Sequence, residues 1–292
     1  MDDSSNLAPA QCQRLMSNEM LVVAPEHGLI WCPNAKVGTT TFYEILRRRL
    51  MPRIKTMPRC FPTACPDRGK FKGAYPLSLP KAMPGHVRLC DRRRFVSFTF
   101  VRNPWDRLAS AYQSKIEPGG RVRDRQALAV QQRIRTLFGL RRGQQIRFGQ
   151  FVRWVVQQNA STMNPHWKPH SERCDTLYTP YEFIGRYETL QEDILHVLGM
   201  LGWSPTLIPA THWSSLGARS NESERLLRLY DSPHLIDLVA RKYALLPRRV
   251  LFAHLASLTA ALCCARRYRD DIVPFGYTFP GRPPTRPARR RA

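Results

Sequence analysis

Residues 31–46 read WCPNAKVGTTTFYEIL, and the character of the chain changes twice within them. A short apolar run ends at Pro33, and a polar turn follows with one lysine, one glycine and three consecutive threonines. Phe42, Ile45, Leu46 and Leu50 then recur at helical spacing. This pattern predicts a strand, a tight turn and a helix, with the Lys-Gly-Thr turn at the helix N-terminus. Upstream, MLVVAPEHGLIWCP (20–33) predicts two short strands around a Glu-His-Gly turn.

Two more units of the same kind follow. FVSFTFV (95–101) is apolar, aromatic and β-branched, as a strand buried on both faces should be. It runs into RNPWDRLASAYQSK, where Asn103 suits an N-cap, Pro104 the first helical position and Asp106 the first turn. FIGRYE (183–188) predicts a third strand. Thr189 and Glu192 then stand at capping-box spacing, and Leu190, Ile194, Leu195, Leu198 and Leu201 share one helical face. Strands alternating with helices predict an α/β fold with a central, mostly parallel sheet flanked by helices. Ligands of such sheets bind outside the carboxyl ends of the strands.

Between these units, residues 51–84 predict a long loop and GHVRL (85–89) a short strand. RVRDRQALAVQQRIRTLFGLRRGQQIR (121–147) reads as a strongly basic linker, followed by a helix FGQFVRWVVQQ. The apolar run VLFAHLASLTAALCC (250–264) contains a histidine and falls short of the roughly 18–20 residues of a spanning helix. A buried or interfacial helix is expected there. No N-terminal signal or anchor is visible in MDDSSNLAPAQ. Residues 1–19 read as an N-terminal extension, and residues 278–292, within the Pro- and Arg-rich end of the chain, as a basic disordered tail.

The charge balance is lopsided, with 46 Lys and Arg against 22 Asp and Glu. A surface of this sign attracts polyanions: nucleic acid, anionic membrane, acidic glycans or phosphorylated cofactors. The eight cysteines have no zinc-ligand spacing, so no metal is expected. Their even number permits disulfides without demanding them.

The first turn has the parts of an anion site. Helix N-terminal N–H groups, Gly38, the hydroxyls of Thr39, Thr40 and Thr41 and the cation of Lys36 converge on one turn. It is not a Walker loop, because the lysine precedes the single glycine; this counts against a small-molecule kinase. In the second unit Arg102 directly follows the strand. Ser110 lies two helical turns on, near Arg107 and Ser114 on the expected helix surface. An arginine fork and a serine there suit a second phosphate.

Taken together, NAKVGTTTF, FTFVRNPWDRLASAYQSK and PYEFIGRYETLQEDILHVL resemble blocks of the carbohydrate sulfotransferases of the HNK-1, chondroitin and dermatan type, relatives of the uronyl 2-sulfotransferases. NPHWKPHSERC and YRDDIVPFGY resemble further segments of that family. The likeness spans about residues 20–277, which is then one sulfotransferase domain. It implies a P-loop-like three-layer fold and an enzyme that moves a sulfuryl group from 3′-phosphoadenosine-5′-phosphosulfate (PAPS) to a glycan hydroxyl, with no metal.

By the same resemblance, Lys36, Val37, Gly38, Thr39, Thr40 and Thr41 hold the 5′-phosphosulfate, and Arg102 with Ser110 the 3′-phosphate. Lys36 also stabilises charge on the departing oxygen. His86, in a GHV segment like the one holding the base of uronyl 2-sulfotransferases, is the first candidate general base, and His166 the second. Arg186 and Glu188 are candidates for the acceptor cleft.

Family members usually carry an N-terminal membrane anchor and act in the Golgi lumen. The resemblance implies that location, and the absence of a visible anchor makes the cytoplasm the alternative. Cys174 alone represents the family's two-cysteine element after HW. LVARKY (238–243) and CARRYRDD (264–271) both resemble the approach to one terminal motif, so 244–268 reads as an insertion or as a gene-model artefact. Two rivals stand beside this reading. One is an inactive sulfotransferase relative. The other is a non-catalytic binder of nucleic acid or another polyanion, disfavoured because the basic stretch 121–147 contains only one aromatic, Phe138.

Overall fold

The computed structural model of the chain describes residues 10–13, 18, 20–50, 91, 94–117, 125–210 and 264–277. The expectations for 51–89, 244–263 and 278–292 lie outside them. In chain order the main elements are β1 (Val22–Ala24), β2 (Leu29–Cys32), α1 (Thr39–Leu50), β3 (Val96–Val101), α2 (Pro104–Lys115), α3 (Arg125–Phe138), α4 (Phe148–Val156), α5 (His170–Arg173), β4 (Phe183–Arg186), α6 (Leu190–Met200) and α7 (Arg269–Ile272). These residues fall into two compact units, divided at Val101/Arg102 and Pro169/His170, with residues 264–277 in the second.

The first unit is the sheet, in the order β1-β2-β3-β4. β1 and β2 form an antiparallel hairpin around a 3-10 turn at Pro25–His27, closed by Gly28 at a left-handed φ of 58°. β2, β3 and β4 run parallel, with Cys32 opposite Thr99 and Val101 opposite Arg186. The expected mixed, mostly parallel α/β sheet is therefore present.

Strand alternation sorts the side chains into two layers. Leu29, Trp31, Phe98 and Phe100 point to one face, where α1 supplies Phe42, Ile45 and Leu46 and α6 supplies Leu190, Ile194, Val197 and Leu198. Aromatic rings fill the centre, with Trp31 and Phe42 centroids 4.7 Å apart and Phe42 and Phe98 5.0 Å apart. Each such side chain contributes about 1.5–3 kcal/mol by leaving water. Leu21, Val23, Ile30 and Cys32 point to the other face, against Phe95, Cys174 and Tyr181. There Cys32 is disulfide-bonded to Cys174, 142 residues away, and Tyr181 donates its hydroxyl to the Cys174 carbonyl at 2.6 Å.

The second unit is helical. α4 packs against α2 and α3, and Phe148 and Phe151 gather around Tyr112, whose hydroxyl bonds to the Ile146 carbonyl at 2.7 Å. The basic stretch 121–147 is not all linker, because α3 occupies much of it. Ala127, Val130 and Ile134 are buried at helical spacing. Three apolar positions among arginines and glutamines are enough to seat a helix, although they are too sparse to dominate its composition.

Arg107 corrects a second expectation. It does not lie on the helix surface but is 0% exposed. Its guanidinium sits 5.4 Å from the centre of the Tyr268 ring and 3.7 Å from Asp271 Oδ2. Tyr268, also fully buried, donates its hydroxyl to the Trp167 carbonyl. The last residues of the expected insertion, Cys264 and Tyr268, are thus core residues of this unit.

Candidate functional site

β2 ends at Cys32, and the following turn is fixed at three points. Pro33 O accepts from Arg173 Nε at 3.2 Å. The buried Asn34 amide donates to Thr99 Oγ1 at 3.2 Å and to Phe100 O at 3.0 Å, while Thr99 Oγ1 donates to Cys32 O at 2.8 Å. Asn34 O in turn accepts from the Thr39 hydroxyl. The carboxyl ends of β2 and β3 and the start of α1 are thereby tied into one frame. Such a frame holds an N-terminus in place without an anion present.

Within the frame Lys36 adopts φ 67° and Gly38 φ 78°. For lysine this left-handed conformation is uncommon and unfavourable, and such conformations cluster at functional turns. Val37 between them is 2% exposed and anchored in the core. Gly38 O accepts from the N–H groups of Thr41 (2.9 Å) and Phe42 (3.3 Å), starting the helix. The earlier N–H groups of α1 have no carbonyl one turn behind them. Thr39 is half-buried, Thr40 exposed and Thr41 buried. Lysine, hydroxyls and helix N–H groups on one 12-residue helix form a donor set for an anionic oxygen cluster.

At the end of β4 the Arg186 N–H donates to Asp193 Oδ2 at 2.7 Å, and the Thr189 hydroxyl donates to the same oxygen at 2.8 Å. The expected capping box with Glu192 is not formed: Thr189 is the N-cap residue but caps no backbone N–H with its side chain. A carboxylate one position later reaches both donors from inside the first turn. Glu188 lies in the 3-10 turn between Arg186 and α6.

In the second unit Arg102 is 4% exposed and Asn103 2%. The Asn103 side chain accepts the Trp105 N–H at 3.1 Å, capping α2 as expected, with Pro104 at the first position. Ser110 is half-buried on α2. Ser114 turns its hydroxyl back to the Ala111 carbonyl at 3.2 Å. His166 is half-buried. Asn164 Oδ1 receives both its backbone N–H (2.9 Å) and its Nδ1 (2.7 Å). An acceptor shared in this way calls for a proton on Nδ1, so a neutral His166 carries its lone pair on Nε2.

His86 lies outside the described residues. Lys36 through Thr41 belong to the first unit, and Arg102, Ser110 and His166 to the second. Asn34 and Arg173, which brace the turn, went unnoticed in the sequence. An asparagine between strand end and lysine turn is a local signal that could have found the first. Arg173, 140 residues from its partner, has none. Among the described residues no group of His, Cys, Asp and Glu could hold a metal ion, and no helix is long and apolar enough to cross a membrane.

The chain is 28% identical over 225 residues to carbohydrate sulfotransferase 11 of Rattus norvegicus, covering 68% of this chain and 58% of the relative. It is 31% identical over 200 residues to carbohydrate sulfotransferase 14 of Danio rerio, covering 68% and 52%. Carbohydrate sulfotransferase 12 of Xenopus laevis is 26% identical over 204 residues, covering 62% and 48%. The chain thus spans about half the length of the curated relatives it matches. No solved structure matches it. The sequence profile of the sulfotransferase family covers residues 19–278, taking in the four described strands and both candidate anion-binding segments, and on that match the chain belongs to the sulfotransferase family.

Proposed function

We propose that this chain moves a sulfuryl group from PAPS to a hydroxyl of a carbohydrate. The observation that carries the reading is the Lys36–Thr41 turn, braced at the carboxyl end of a parallel strand with a 12-residue helix behind it. The residues present fit a phosphosulfate: the donors are cationic, hydroxylic and N–H, with no carboxylate in the turn or the first helical turn. Bound PAPS supplies the sulfuryl group, whose bond to the 5′-phosphate breaks as the acceptor oxygen bonds to sulfur, the electron pair staying on the phosphate.

Each residue then has a defined task. The helix N–H groups and Thr39–Thr41 orient the 5′ end, and Lys36 offsets the charge left on the phosphate oxygen. Arg102 and Ser110 hold the 3′-phosphate, with Arg102 as the charge-assisted fork. The acceptor proton passes to a histidine. His86 is the first candidate, and His166 the second, supported by the lone pair that Asn164 directs to Nε2. Arg186 and Glu188 belong on the acceptor side. The partner is a glycan, and neither a metal nor a nucleic acid takes part. The Cys32–Cys174 disulfide suits an oxidising compartment such as the Golgi lumen.

Calorimetric titration with adenosine 3′,5′-bisphosphate tests this directly. Wild type should bind, and a Lys36→Ala, Arg102→Ala variant should lose binding while still unfolding cooperatively at a temperature above that of the titration. A folded wild type that ignores the nucleotide would sink the donor assignment. Transfer of labelled sulfate to carbohydrate acceptors should then depend on His86 or His166.

A further inference from the structure

Of the chain's asparagines, only Asn159 and Asn221 begin the pattern Asn-x-Ser/Thr with a residue other than proline between. That is the acceptor pattern for attaching sugar to the asparagine amide of secreted proteins, where it lies on surface loops. Asn221 lies outside the described residues. Asn159-Ala160-Ser161 lies within them, in the connection that follows α4 in the helical unit. A second observation concerns the compartment. In the other unit Cys32 and Cys174 are joined and fully buried, a pairing that persists in oxidising compartments such as the secretory lumen.

The fold presents the tripeptide in one fixed way. Ala160–Thr162 form a single 3-10 turn that Asn159 caps. The Thr162 N–H donates to Asn159 O at 3.1 Å, and the Met163 N–H to Ala160 O at 3.3 Å. Ala160 and Met163 are buried and seat the turn, while Asn159, Ser161 and Thr162 are exposed. Just upstream, the Trp167 indole N–H donates to Gln158 Oε1 at 3.2 Å. The two polar atoms of the Asn159 side chain are not equivalent. The Ser161 N–H (3.0 Å) and the Ser161 hydroxyl (2.9 Å) converge on one of them. A backbone N–H can only donate, so that atom is the oxygen. Nδ2, the atom that would carry sugar, makes no hydrogen bond among the described residues.

We infer that Asn159 is a site of N-linked glycosylation. The sugar donor is an oligosaccharide carried on a polyprenyl diphosphate. Asn159 Nδ2 bonds to the anomeric carbon of its first sugar. The bond from that carbon to the diphosphate oxygen breaks, its electron pair leaves with the diphosphate, and Nδ2 gives up one proton. Because Asn159 is exposed, the finished glycan stands in solvent, and the folded turn does not compete with it. A cap needs no more than an oxygen acceptor, which aspartate or serine supplies as well. The amide nitrogen and the hydroxyl two residues on are the parts that glycosylation adds to that requirement. The inference goes beyond the transfer reading and shares with it only the oxidising compartment, since an inactive relative there would carry the same glycan.

Peptide mass spectrometry of the full-length protein, purified from the cells that make it, tests the site. The wild-type peptide containing Asn159 should carry a mass of hexose and N-acetylhexosamine, which peptide N-glycosidase removes, leaving aspartate. Three variants expressed in the same cells extend the test. Asn159→Asp keeps an oxygen for the Ser161 N–H, and so the cap, yet should lose the glycan. Ser161→Ala should lose it as well, and Ser161→Thr, which restores a hydroxyl, should keep it. A bare Asn159 peptide from wild type would overturn the inference, whether or not Asn221 is modified. A glycan on Asn159 that survives Ser161→Ala would overturn it too. Calorimetry with adenosine 3′,5′-bisphosphate on the same wild-type protein is a separate readout. No binding by a glycosylated protein would remove the transfer reading and leave the glycan site standing.

Discussion

Leu190, the first residue of α6, packs directly on Gly38: a methyl group built on Gly38 would overlap Leu190 Cδ2. The third strand–helix unit thus sets the shape of the Lys36–Thr41 turn in the first. Gly38 also holds φ 78°, so Gly38→Ala meets a backbone penalty and a steric one together. A loss of about 2–4 kcal/mol in denaturant unfolding is expected. Adding Leu190→Ala should recover about 1 kcal/mol relative to additivity. Strict additivity would mean that the overlap is not what glycine avoids.

Asp193 accepts both the Arg186 N–H and the Thr189 hydroxyl, and that arrangement separates two adjacent acids. Asp193→Ala strands a backbone donor at the end of β4 and should cost about 1–2 kcal/mol. Glu192, exposed and outside the cap, should change stability by no more than about 0.5 kcal/mol when replaced by alanine. Equal losses in the two unfolding curves would restore the capping box that the sequence spacing suggested.

The contrast shows what could be read in advance. The three strand–turn–helix units were legible because each is local: a β-branched run, an N-cap or glycine, then apolar residues at helical period. Asn103 as a cap and the Lys36 turn at a helix start follow from the same short-range chemistry. Features set by distant partners were not legible. Nothing near Arg107 announces Asp271, and nothing near Cys32 selects Cys174 among the other cysteines. Thr189 offered two acids within reach, and spacing alone favoured the wrong one. α3 was hidden because its buried stripe is narrow and its composition is that of a linker.

The Cys32–Cys174 bond closes a loop of 142 residues, and both cysteines are fully buried in the same core layer. Restricting so long a loop in the unfolded chain is worth about 3–5 kcal/mol. A Cys32→Ala, Cys174→Ala variant should be destabilised by about that amount. Cys12 is also disulfide-bonded, so wild type and the variant are compared in the same reductant, where their denaturant midpoints should be close. If thiol titration shows both cysteines reduced and the midpoint has not moved, the bond is not a stabilising element.

Arg107 and Asp271 are both fully buried and 3.7 Å apart, so removing one takes from the other its opposite charge at that distance. Asp271→Ala should cost about 3–5 kcal/mol. Replacing both at once, as Arg107→Met with Asp271→Leu, should cost less than that single change, because both buried charges are then removed together. A double variant as unstable as the sum of the single ones would show that the pair acts through shape rather than charge.

Tyr268 lies beneath that guanidinium, and burial drives its phenol well above the ordinary 10.0, although Arg107 pulls the other way. The sign of the resulting pH dependence follows. The unfolded chain releases this proton first, so the stabilisation is complete below pH 10.0 and is lost as the pH rises beyond it. Tyr181, buried beside Asp175, has its phenol raised in the same direction, by burial first. Phenolate absorbance from these two rings should therefore appear together with unfolding rather than before it. Tyr268→Phe gives up the bond to the Trp167 carbonyl, about 1 kcal/mol at neutral pH. Its unfolding midpoint should also fall less steeply than that of wild type above pH 10.0. Identical alkaline slopes in the two proteins would mean that Tyr268 ionises while the chain is still folded, which its buried position against Arg107 and Trp167 argues against.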